Sequence, residues 1–132
     1  MARATRILVT VFGTVCMAIA LVHIAIGPRS IPGSVPVNAT MDSEDRFYAT
    51  LFLGFGAACV WAARDLAARA RVFDALMAVF FLGGMARLVS AAFVGPPNAM
   101  FVFLGALELV LPPLFVAMAR RGFPRGQAAV TR

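Results

Sequence analysis

The chain has 132 residues, one domain's worth, but 61% of them are apolar and the mean hydropathy is +0.88, against about 45–50% apolar for a soluble domain, which assigns it to a membrane. Its formal charge of +6 comes from twelve arginines, with no lysine, against six acids. The arginines flank apolar runs instead of forming a patch interleaved with aromatics, which argues against nucleic acid as a partner.

Four apolar runs approach the roughly 20 helical residues that cross about 30 Å of hydrocarbon: residues 7–27, 47–63, 72–94 and 99–119. Backbone in lipid must satisfy its own hydrogen bonds, so these runs are expected to be helices. The expected fold is all-α, a single antiparallel bundle of four transmembrane helices. Arg3, Arg6, Arg64, Arg69, Arg71, Arg120, Arg121, Arg125 and Arg132 lie in the N-terminus, the middle link and the 120–132 tail, whereas the other two connections hold only Arg29 and Arg46. The positive-inside rule therefore puts both termini in the cytoplasm and the 28–46 loop outside. Arg3 and Arg6 before an apolar stretch ending in Ala18-Ile19-Ala20 also fit a cleaved signal peptide. The run continues to Gly27, however, and favours a retained first helix.

In the first helix Gly13, Cys16, Ala20, His23 and Gly27 recur every three or four residues. This is one stripe of small or polar side chains, the kind that lets helices approach closely in lipid. His23 lies about one turn below the outer end. It can pack as a hydrogen-bonded interfacial histidine, join a polar cluster or shuttle a proton; with no second histidine and no ExxH partner, a metal is not expected. The outer loop carries Pro28, Pro32, Gly33 and Pro36, which prevent a new helix, and Asp42 with Asp45 three residues on forms an expected N-cap for the second. Asp42, Glu44 and Asp45 suit its positive first turn. Arg46 and Tyr48 stand at the water–lipid boundary, facing His23 as a lid over the polar groups. Asn38-Ala39-Thr40 matches a glycosylation sequon, a three-residue match too short to carry weight. The second helix offers Gly54, Ala58 and Ala62 as its close-packing stripe, and Trp61 near its inner end is an interfacial anchor. Cys16 and Cys59 fall at comparable depth and are expected to be free thiols packed as small apolar groups.

The third helix contains Arg87 inside "GGMARLVSA", with Gly83, Gly84, Ser90 and Ala91 three or four residues either side. Arg87 should therefore point into the bundle. The turn Gly95-Pro96-Pro97-Asn98 makes the third and fourth helices antiparallel neighbours, and Glu108 shares a face with Gly105 and Pro112. Arg87 and Glu108 lie at matching depths, about 10–14 Å below the outer surface at 1.5 Å per residue. Each charge makes the other tolerable in the bilayer. Two readings of such a pair stand: it fixes helix register, or it lines a cavity that binds the polar group of a lipid, quinone or other lipophilic ligand. Pro112 and Pro113 release the carbonyls of Glu108 and Leu109, which suits a kink beside a pocket.

The segments "ALVHIAIGP" and "PGSVPVNATMDSEDRFYATLFLGFGAACVWAARDL", followed by an arginine in helix three and an acid in helix four, resemble the small bacterial four-helix membrane proteins of domain-of-unknown-function family 4345. The resemblance implies a plasma-membrane protein with four helices and carries no activity. Its motif residues here are His23, Gly27, Pro28, Asn38, Asp42, Glu44, Arg46, Tyr48 and Gly54. The candidate site is thus His23, Asp42, Glu44, Arg46, Tyr48, Arg87 and Glu108, with no metal and no cofactor called for. Expected partners are membrane lipids, a lipophilic ligand, and a larger membrane complex or a second copy of the chain. The favoured function is an accessory subunit or a lipophilic-ligand binder. The alternatives are a small transporter and a membrane enzyme moving protons with Glu108 and His23 against Arg87.

Overall fold

In the computed structural model, residues 2–123 are described; Arg125 and Arg132 of the arginine-rich tail lie outside them. Four α-helices make up the fold: α1 (Ala2–Ile26), α2 (Ala39–Arg64), α3 (Ala70–Val94) and α4 (Ala99–Gly122), with a short 3-10 turn at Gly27–Ser30. Each is long and apolar enough to cross a bilayer. Their outward faces carry Leu21, Leu82, Phe93 and Val110, all at least half exposed, a pattern suited to lipid and unsuited to water.

The helices outrun the apolar segments from which they are read. The largest difference is in α2, which begins at Ala39, eight residues before the apolar run. Asn38, not Asp42, is its N-cap, its side chain accepting from the Met41 amide at 3.0 Å. Once Asn38 satisfies that amide, the polar stretch 39–46 is helical instead of looped, and Asp42, Asp45 and Arg46 gain fixed directions. The irregular part of the connection between α1 and α2 shrinks to 31–38. At the other turn the expectation holds: Gly95 leaves α3 at φ 112°, and Asn98 caps α4 by accepting from Met100.

Consecutive helices are neighbours and α4 closes back on α1. The tightest contact is between α1 and α2, where Gly13 and Gly56 meet backbone to backbone. A Cβ at Gly13 would lie 2.7 Å from the Gly56 oxygen, and one at Gly56 would lie 2.6 Å from the Gly13 oxygen. The α1 stripe of Gly13, Cys16 and Ala20 is buried as expected. On α2 the expected stripe holds only at Ala62: Gly54 is exposed with nothing near its would-be Cβ, Ala58 is half-buried, and the buried positions are Ala49, Gly56, Cys59, Ala62 and Ala63. The middle of α2 is apolar nearly all round, so its pattern does not select a face; the approach of Gly13 does. Cys16 and Cys59 are free and buried in this interface.

The second tight pair is α3 with α4, seated where Gly84 meets Leu109 and the Cβ of Glu108. Between the two hairpins the packing is thinner. It is concentrated at the end of the bundle carrying the 65–69 connection, around Val9, Cys59, Leu66, Phe73 and Met77. Above this core Phe12, Phe55, Phe80 and Phe115, one from each helix, form an aromatic floor. Phe12 meets Phe80 and Phe115 edge-on at 4.9 and 5.5 Å, and Phe55 stacks on Phe80 at 5.6 Å. Pro112 and Pro113 lie within α4, which continues helical through them. Beyond the floor, toward the 31–38 connection, a cleft opens between the hairpins.

Candidate functional site

The cleft has two lobes. One of about 520 Å³ lies between α1, α2 and α4, and one of about 430 Å³ lies between α2 and α3. They share Tyr48, Phe52, Phe80, Arg87 and Glu108, so the same polar groups face both. Each volume falls within the roughly 300–1,000 Å³ of small-molecule sites.

Arg87 Nε donates to Glu108 Oε2 over 2.7 Å. The Glu108 side chain is 12% exposed and that of Arg87 is 41% exposed, so the acid is sunk in the α3–α4 seam while the guanidinium reaches into the cleft. Small neighbours make this possible. A Cβ at Gly84 would lie 3.0 Å from the Glu108 Cβ, and one at Gly105 would lie 3.4 Å from the Arg87 Cδ. The guanidinium also stands over the Phe101 ring at 5.5 Å, a cation–π contact. Its Nη1 and Nη2 groups make no other hydrogen bond among the described residues.

His23 also lines the larger lobe, but its partner is Asp45, whose two carboxylate oxygens both lie 3.2 Å from Nδ1. Asp45 is not among the site residues expected from the sequence, where its place at the N-terminus of the second helix accounts for its charge. With the helix extended back to its Asn38 cap, Asp45 falls one turn before buried Ala49, on the face turned to α1. Tyr48, mostly exposed, stands at the mouth of both lobes.

Asp42 and Arg46 form a separate assembly. Arg46 Nε and Nη2 donate to the two oxygens of Asp42 at 2.8 and 3.2 Å, while Nη1 donates to the carbonyls of Ile24 and Ala25. Arg46 therefore caps the C-terminus of α1, where unsatisfied carbonyls and the helix dipole favour a cation. Gly27 follows at φ 65°, and a Cβ there would lie 2.6 Å from Asp42 Oδ1. The lid expectation thus divides: Tyr48 borders the cleft, Arg46 fastens α1 to α2 outside it, and Glu44 is exposed with no ion pair or hydrogen bond among the described residues. Much of the motif (Gly27, Asn38, Asp42 and Arg46) has a structural explanation in this turn.

The cleft therefore offers donors on Arg87, carboxylate acceptors on Glu108 and Asp45, and the Tyr48 hydroxyl, above apolar and aromatic walls. Among the described residues, no three potential metal ligands converge. No curated protein and no solved structure matches the chain. The family model described as "Domain of unknown function (DUF4345)" matches residues 4–119, nearly the whole length, and the chain belongs to that family.

Proposed function

We propose that this membrane protein binds a lipophilic molecule with a polar head, held in the cleft between its two helix hairpins. The observation that carries the reading is the position of Arg87: its Nε is held by Glu108, its other two nitrogens have no partner among the described residues, and the residue lines a cavity with apolar walls. A pair serving only helix register needs no such cavity beside it. Above the aromatic floor the larger lobe runs along α1 from Phe12 to His23, about 16 Å at 1.5 Å per residue, close to one leaflet's share of a roughly 30 Å hydrocarbon core. A ligand with its head at Arg87 and its chain toward the aromatic floor would thus lie along the bilayer normal. With both termini cytoplasmic, as the arginine distribution argues, that head belongs to the outer leaflet.

The test is gentle detergent extraction followed by mass spectrometry of every molecule retained, comparing the natural chain with the double substitution Val15→Trp and Gly83→Leu. Val15 borders the larger lobe and is half exposed, and Gly83 borders the smaller with room for a side chain. One amphiphile should be retained in near-stoichiometric amount by the natural chain and lost from the filled variant. An identical, non-stoichiometric lipid mixture on both would refute the reading.

A further inference from the structure

The charges at the cleft's rim select among amphiphiles, an inference that rests on the cleft being a ligand site. The larger lobe is lined by one guanidinium, Arg87, and two carboxylates, Glu108 and Asp45, the second of which is shared with His23. With His23 neutral the rim carries a net negative charge, and with His23 protonated it carries none. In neither state is there surplus positive charge for a carboxylate or phosphate head, which would meet two like charges in a medium that screens them poorly. A cationic head would compete with Arg87 for a carboxylate already engaged at 2.7 Å. What the rim does offer is a pair of unengaged Arg87 nitrogens, whose natural complement is a neutral acceptor such as a carbonyl oxygen.

The walls add a shape. Phe52, Phe80 and Tyr48 border both lobes together with Arg87, and the Arg87 guanidinium stands over the Phe101 ring at 5.5 Å, so flat rings line the same space as the guanidinium. Ring against ring is favourable in offset or edge-on geometry. Away from the rim the lining changes to Val15, Ile19, Leu104, Leu107 and Leu111, the side chains that line the larger lobe between α1 and α4. We infer that the cleft takes a neutral, carbonyl-bearing ring on an apolar chain, a quinone-class amphiphile. A ring carbonyl accepts from Arg87, and the chain lies along the α1–α4 seam.

The experiment uses the full chain in a neutral maltoside detergent, with binding followed by native mass spectrometry. Three probes share an apolar chain of nearly the same length: a hexadecyl-substituted benzoquinone, palmitate and hexadecane. The benzoquinone should bind at least tenfold more tightly than hexadecane, since a hydrogen bond to a charged donor is worth about tenfold or more, and more tightly than palmitate, whose carboxylate meets the like charges of Glu108 and Asp45. Arg87→Met combined with Glu108→Leu removes both charges together and leaves none unpaired. It should erase that preference while hexadecane binding stays unchanged. Palmitate binding as tightly as the benzoquinone, no preference over hexadecane, or full benzoquinone affinity in the double variant would each overturn the inference while leaving a lipophilic cleft in place. If no probe binds and none competes with a co-extracted molecule, the cleft reading fails, and this inference with it.

Discussion

Replacing Gly56 by alanine tests the packing that aligns α1 with α2 and so brings His23 to Asp45. The added Cβ would lie 2.6 Å from the Gly13 carbonyl oxygen, 2.8 Å from Met17 Cγ and 3.0 Å from the Met17 amide nitrogen. Two of these three neighbours are backbone atoms, which no rotamer change can move. Reaching ordinary contact, near 3.4 Å, requires the helices to part by about 0.8 Å, and overpacking of this kind costs about 1–3 kcal/mol. The rigid neighbours place Gly56→Ala at the upper end, and the better helix propensity of alanine offsets at most about 1 kcal/mol. A net loss of about 2 kcal/mol is expected. Gly54→Ala, two residues away with nothing within 4 Å, is the matched control and should be neutral or slightly stabilising. Unfolding in mixed micelles of rising dodecyl sulfate content, followed by the fluorescence of Trp61, the single tryptophan, measures both. Equal midpoints for the two variants would show that the Gly13–Gly56 contact does not hold the first hairpin together.

Three further outcomes are expected. Arg87→Met alone leaves Glu108 without its partner; because Arg87 is 41% exposed, the cost should be about 1–2 kcal/mol, below the roughly 3–5 kcal/mol of a fully buried pair. Adding Glu108→Leu should recover most of it, and a double variant no more stable than the single in the same micelle titration would contradict the pairing. Arg46→Lys keeps the charge but not the fork that joins Asp42 to two α1 carbonyls. Amide hydrogen exchange should then quicken in 24–30 while the rest of α1 is unchanged; exchange that stays slow there would remove Arg46 as the cap. Finally, Cys16 and Cys59, 3% and 0% exposed, should resist a maleimide until dodecyl sulfate unfolds the chain, and labelling in the folded state would place α1 and α2 further apart than described.

Several features follow from the amino-acid order alone. The four helices do, because long apolar runs cannot leave backbone groups unpaired in hydrocarbon. The inward face of α1 does too, since Gly13, Cys16 and Ala20 are small residues among larger ones. So does the shared face of Gly105, Glu108 and Pro112 on α4, where a single acid makes one side distinct. Helix ends were harder to read, because hydropathy marks where lipid would begin, whereas the start of α2 is set by a local hydrogen bond from Met41 to Asn38.

Tertiary structure decided the rest. Along most of its length α2 is apolar on every side, and only the meeting of Gly56 with Gly13 makes Ala49, Gly56 and Cys59 its buried stripe in place of Gly54 and Ala58. That register turns Asp45 toward His23 and leaves Arg46 to cap α1. The divergence of the hairpins above the phenylalanine floor has no local signature at all. It depends on four rings from four helices packing across the middle of the bundle, and the space left between them and the 31–38 connection is what joins the Arg87–Glu108 pair to the His23–Asp45 pair in one cleft.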